Sequence, residues 1–157
     1  MKKILIVLII VLVFSFAACG GGASSDNDVS VKSKDVVFNE GDPVQFENLK
    51  IEEKEGRDWV NVTFMVRNNT GEHKDEITFK VNALNNKGDI IDGEYIYIMD
   101  LDDGQASEGL MQVDVNDFQE FSSLSISSVE YSEKVDSSTY RLTGEYEFES
   151  DVIMPLE

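Results

Sequence analysis

The chain has 157 residues, with 31 acidic and 13 basic side chains, one histidine and a formal net charge of −18. That length holds one ordinary domain after any processed segment is removed, and the single cysteine excludes an intrachain disulfide. The acidic balance excludes nucleic acid as a partner, because phosphates demand a basic patch.

Met1-Lys2-Lys3 is a short positive start, followed by the apolar run ILIVLIIVLVFSFAA from Ile4 to Ala18. A membrane-spanning helix needs about 20 apolar residues, so this run falls short. It fits instead the apolar region of an export signal over residues 1–18. A lone thiol in an exported chain calls for an explanation. The segment Phe16-Ala17-Ala18-Cys19 resembles the lipobox of bacterial lipoproteins, in which small residues precede a cysteine. Phe16 stands where that pattern usually has leucine. The resemblance implies a diacylglyceryl group on the Cys19 sulfur, cleavage just before it and acylation of the new N-terminus. No other cofactor is expected. Two or more acyl chains hold a protein stably on a bilayer where one would not.

Residues 1–18 hold two of the 13 basic side chains and no acidic one, so the mature chain carries a charge of −20. Such a body repels anionic headgroups. GGGASSDNDVSVKSK, residues 20–34, has linker composition, and with Cys19 it reads as a flexible tether over 19–34. Fifteen such residues average about 20 Å and reach at most about 50 Å. Both exceed the Debye length of about 8 Å, so the domain would stand clear of the lipid.

From Asp35 to Glu157 the hydrophobic period is two. VVFN and VQFENLKIEE flank the turn Glu40-Gly41-Asp42-Pro43. In WVNVTFMVRNN, Val60, Val62, Phe64 and Val66 alternate with Asn61, Thr63 and Arg67, which predicts a half-buried strand. ITFKVNAL repeats the pattern, and Asn85-Asn86-Lys87-Gly88 predicts a tight turn into IIDGEYIYIM, a further strand or a bent pair. LMQVDV follows, then Phe118, Phe121 and Leu124 at a spacing that predicts one helical turn. In SSLSISSVEY, Leu124 and Ile126 precede Val129 and Tyr131 with a one-residue slip, as at a bulge. TYRLTGEYEFE closes the series. Seven to nine short strands with turns between them predict an all-β sandwich over 35–157, as one domain.

Three turn and core patterns narrow this. Val66-Arg67-Asn68-Asn69-Thr70-Gly71, Asn85-Asn86-Lys87-Gly88-Asp89-Ile90 and Leu101-Asp102-Asp103-Gly104 together resemble the immunoglobulin-like FxLYD-type domains of bacterial cell-surface lipoproteins. The naming motif reads Val81-Asn82-Ala83-Leu84-Asn85. The resemblance spans about residues 47–131 and implies an immunoglobulin-like fold, not an activity.

Candidate sites are few. Asp100-Leu101-Asp102-Asp103-Gly104 resembles the start of a calcium loop, but glycine falls at position 5 and Met111 at position 12, against the EF-hand spacing. Asp89, Asp92 or Glu94 would have to complete a different cation site. His73 has no G-x-S-x-G serine to activate and reads as a polar loop residue. With one histidine and a lipidated cysteine, no zinc site is expected. Trp59, Tyr95, Tyr97 and Tyr140 are the aromatics available for a recognition face, Trp59 lying opposite Val60 and Val62. Exposed aromatics are frequent interface anchors.

The expectation is therefore a non-enzymatic lipoprotein, outward-facing on a bacterial membrane through lipidated Cys19. Its acidic sandwich would bind an extracellular or envelope component through a strand edge or through Trp59, Tyr95 and Tyr97. The alternative is an accessory subunit binding a small ligand or a divalent cation.

Overall fold

The computed structural model describes residues 29–156. Eight strands run β1 Val29–Val37, β2 Val44–Lys54, β3 Trp59–Asn68, β4 Lys74–Asn85, β5 Ile90–Leu101, β6 Ala106–Asp114, β7 Phe121–Lys134 and β8 Tyr140–Pro155. One turn of helix, α1, occupies Val115–Phe118 between β6 and β7. The strands form two antiparallel four-stranded sheets, ordered β1-β2-β3-β6 and β5-β4-β7-β8. Setting β1 aside, β2 and β3 pair in one sheet, β4 and β5 in the other, β6 returns beside β3 and β7 beside β4. That is the crossing pattern of an immunoglobulin-like sandwich.

The alternation read in the sequence decides which side chains meet. Val60, Val62, Phe64 and Val66 of β3 are buried, as are Ile77, Phe79, Val81 and Ala83 of β4. Four phenylalanines join the two sheets at the centre. The Phe46 ring lies 6.0 Å from Phe64 in its own sheet, and 5.1 Å from Phe79 and 6.0 Å from Phe148 in the other. Edge-to-face pairs of this kind add about 0.5–1.5 kcal/mol each beyond the area they bury. Gly109 sits opposite Phe64 in the β3–β6 register. A Cβ there would come within 2.8 Å of the Phe64 ring, so the ring takes the space a side chain would need.

Several expectations meet the structure with instructive differences. Cys19 and the signal segment lie outside the described residues. Residues 29–34, expected as the end of a flexible tether over 19–34, belong instead to β1, which pairs with β2 from Val29↔Lys54 to Lys34↔Leu49, and residues 19–28 lie outside the described residues. Ser30 to Ser33 and Asp35 to Val37 are all exposed, so this edge strand is held by backbone hydrogen bonds and has no hydrophobic period to read. Its lysines suit an open edge. The slip before Val129 is a true irregularity in the β7–β8 register, between Ile126 and Ser128. The predicted helical turn is α1, capped by the Asp114 carboxylate, which accepts from Asn116 N at 2.8 Å. It ends at Phe118, and Phe121 and Leu124 belong to β7. IIDGEYIYIM is one strand, β5.

Candidate functional site

The sandwich has two ends with different chemistry. At one end β1 begins, and the β2–β3 turn, the β4–β5 turn and α1 gather there. At the other end lie the β3–β4, β5–β6 and β7–β8 connections.

The aromatic residues do not form one face. Trp59 points outward from the first sheet, out of phase with buried Val60 and Val62, at the end where β1 begins. Tyr95 and Tyr97 point outward from the second sheet, out of phase with buried Ile96 and Ile98. They therefore look in opposite directions. With Met99 they make a row on β5, an edge strand paired on one side only, by β4. Tyr140 starts β8, at the other edge of that sheet. Outward Lys80, Thr78 and Glu76 of β4 oppose Tyr95, Tyr97 and Met99.

Asp100–Gly104 lies at the end opposite Trp59, and two interlocked arrangements order it. The first centres on Asn68, a polar residue with no exposed surface. Its Nδ2 donates to Leu101 O at 2.9 Å and to Glu72 O at 2.8 Å. Its Oδ1 accepts from Thr70 N at 3.0 Å and Thr70 Oγ1 at 2.8 Å. The backbone joins in: Asn68 N donates to Gln105 O, and Asn68 O accepts from Gly104 N. Arg67 adds a bond to Gly104 O at 2.8 Å while pairing with the nearly buried Glu47 at 2.7 Å. The pattern Val66-Arg67-Asn68-Asn69-Thr70-Gly71 thus has a physical meaning. It is a lock between the β3–β4 and β5–β6 loops.

The second arrangement centres on His73, which lies in the polar loop expected from the sequence and is set among aspartates there. Its Nδ1 lies 2.8 Å from Asp102 Oδ1, and its Nε2 lies 3.2 Å from Asp75 Oδ1 and 3.5 Å from Asp100 Oδ1. Asp75 also accepts from Lys134 N at 2.8 Å, which brings in the end of β7. Donation of a hydrogen bond to the Asp102 carboxylate, helped by Asp75 and Asp100, raises the His73 pKa above its ordinary 6.5. The Lys134 N–H, with help from His73, holds Asp75 below its ordinary 3.8. When protonated, His73 is an internal counter-ion for these aspartates. The β4–β5 register, with Lys74 opposite Leu101, is what sets His73 against Asp102. Sequence spacing could not reveal that.

The same geometry undoes the cation site considered from the sequence. Asp89, Asp92 and Glu94 lie at the far end of β5 from Asp100. Eight residues of strand separate Asp92 from Asp100, about 26 Å. Among the described residues no group of three or more His, Cys, Asp or Glu side chains is disposed to hold a metal ion.

Two outcomes follow. Asn68→Asp keeps the shape and the acceptor but removes both donors, taking the side-chain partner from the Leu101 carbonyl, leaving Glu72 O only its bond from Thr70 Oγ1, and setting a carboxylate against both oxygens. It should lower unfolding free energy by about 2–4 kcal/mol, measured by urea denaturation. For the histidine clasp, a raised His73 pKa means stabilisation present below about pH 6.5 and lost as pH rises through the folded value. A lowered Asp75 pKa means stabilisation present above about pH 3.8 and lost as pH falls through its folded value. The melting-temperature difference between the wild type and His73→Gln should therefore peak between these limits and shrink as pH rises through the raised His73 value. A difference independent of pH would refute the clasp.

No family model matches the chain, and no curated protein is similar to it. Among solved structures it is similar to beta-glucosidase 3B from Thermotoga neapolitana in complex with glucose, at 16% identity and a TM-score of 0.36. The match covers 71% of this chain and 16% of that one, and at this level it carries neither fold nor activity across.

Proposed function

We propose that the chain is a surface lipoprotein, anchored outward on a bacterial membrane through lipidated Cys19, whose sandwich is a non-enzymatic domain that docks a basic extracellular or envelope protein. The observation that carries the docking is the row on β5. Tyr95 is 58% exposed, Tyr97 60% and Met99 44%, on a strand whose second edge has no partner strand among the described residues. A partner segment adding to that edge would gain main-chain hydrogen bonds and rest on the tyrosines. On the same outward face Glu76 lies opposite Met99 and Glu130 opposite Thr78, against the cation Lys80 opposite Tyr95, so charge complementarity selects a basic partner. A cation-binding role has less support, since Asp100 and Asp102 already face His73.

The lipobox-like segment and the strand boundaries support the anchor. Nine residues, 20–28, separate Cys19 from β1 and can reach at most about 30 Å. That still exceeds the Debye length of about 8 Å, so a shorter tether serves the same purpose. It also makes the end bearing Trp59 the membrane-proximal one.

The anchor is tested by mass measurement of the N-terminal peptide. Wild type should begin at a lipid-modified Cys19, and Cys19→Ser should keep residues 1–18. An unmodified cysteine would refute the anchor. For the docking, a photoreactive residue replacing Met99 should crosslink a basic protein on intact cells. The yield should fall as ionic strength rises and be lost with Tyr95→Ser and Tyr97→Ser together. A crosslink indifferent to both would exclude β5.

A further inference from the structure

The geometry points to a second site on the opposite sheet: a platform for a neutral glycan, built on Trp59, Asn61 and Gln112. The inference rests on the binding-domain reading and adds to it a ligand class and a place.

Trp59 is the only tryptophan in the chain, and it is 38% exposed on the flat outer face of the first sheet. The Arg57 guanidinium lies over the ring, 5.2 Å from its centroid, and a sugar stacking on that face would displace it. Asn61 is two residues along the same face, about 7 Å away, and is paired in register with Gln112 on one side and Glu52 on the other. Gln112 Nε2 donates to Asn61 Oδ1 at 3.1 Å. That bond uses one donor and one acceptor of the pair. Asn61 Nδ2 and Gln112 Oε1 have no further partner among the described residues, nor has the indole Nε1. Two shallow cavities, of about 470 and 490 Å³, meet at Lys54, Arg57 and Trp59. One extends toward Ser30, Gly56 and Val115, the other over Asn61, Gln112 and Glu52.

These groups fit a sugar ring in kind and in order. A pyranose has an apolar C–H face, which an indole can cover. At its rim every hydroxyl both donates and accepts. Asn61 Nδ2 and Gln112 Oε1 set a free donor beside a free acceptor, the complement of adjacent hydroxyls. Cavities on both sides of Trp59 provide for a chain of sugars rather than one. Glu52 is paired with Lys50, and Asp114 lies opposite Trp59 in register beside Lys54 and Arg57, so the charges of the face nearly cancel and the patch is not built for an anion. A chain with a net charge of −18 also repels polyanions. A protein hot spot is a less suitable occupant. Such spots sit in apolar, desolvated centres, whereas Trp59 has Asn61, Glu52, Gln112 and Asp114 as its same-face neighbours. The β5 row, with Met99 beside two tyrosines, has the opposite character.

Because Trp59 is the sole tryptophan, its fluorescence reports on this site alone. The full chain in detergent would be titrated with neutral gluco-, xylo-, manno- and chito-oligosaccharides, with oligogalacturonate as the anionic arm. At least one neutral chain should give a saturable emission shift. By calorimetry, Trp59→Ala should weaken that binding about tenfold or more, roughly 1.4 kcal/mol. Trp59→Phe, which keeps a flat ring, should retain part of it. Asn61→Ala should weaken it severalfold without lowering the melting temperature, and Tyr95→Ser with Tyr97→Ser should leave it unchanged. Three results would each overturn the site: no saturable response to any neutral chain, response to the anionic chain only, or binding that survives Trp59→Ala. Crosslinking at β5 is independent of all three, so failure of the glycan site and failure of the binding-domain reading can be told apart.

Discussion

One buried amide holds the end of this sandwich together. Asn68 has no access to water, yet both of its side-chain atoms are bonded, to the backbone of Glu72 and Leu101 and to Thr70. A polar group in such a place is costly unless every bond is made, and here the bonds are made only when two loops from different strand pairs sit in one arrangement. Satisfying Asn68 therefore fixes the course of the β5–β6 loop relative to the β3–β4 loop. Arg67 at Gly104 and the Asp103 carboxylate accepting from Gly71 N secure the same junction from outside.

The histidine clasp depends on that junction. Asp100 and Asp102 come within reach of His73 because Leu101, between them, is held inward with its carbonyl on Asn68. Asp100 adopts a positive φ of 55°, a conformation uncommon outside glycine and tolerated best by Asp and Asn, to make this turn. In a chain of 31 acidic residues, one titratable cation placed among three aspartates relieves repulsion where loops converge. It also makes the stability of that end of the molecule depend on pH.

Between the ends, the phenylalanine cluster keeps the two sheets in a single packing, so the outer faces are fixed platforms that look in opposite directions. One presents tyrosines and a methionine along an open strand edge flanked by acids. The other presents an indole beside hydrogen-bonding amides. On the proposed anchoring through Cys19, the indole platform is at the end of the sandwich where β1 begins and the histidine clasp is at the opposite end.

The sandwich was legible in the sequence because half-buried strands write their own period. Val60, Val62, Phe64 and Val66 cannot alternate with polar residues and lie otherwise, and even the slip before Val129 could be read. β1 was not legible, since an exposed edge strand held by backbone bonds leaves no apolar trace in VSVKSK. Trp59, Tyr95 and Tyr97 could be named as exposed aromatics, but not sorted into faces. Which sheet a strand joins depends on the crossing connections, and these do not register in local periodicity.

The amino-acid sequence by itself thus determined the class of fold, the acidity of the surface and the resemblance to an export and lipidation signal, all of which reside in composition and short-range order. Only the tertiary structure decided that Asn68 is a lock, that His73 is a counter-ion, that Asp92 is about 26 Å from Asp100, and that Trp59 stands beside Gln112. The lock, the clasp and the Trp59 face each bring together residues far apart in the chain, and strand register sets those pairings.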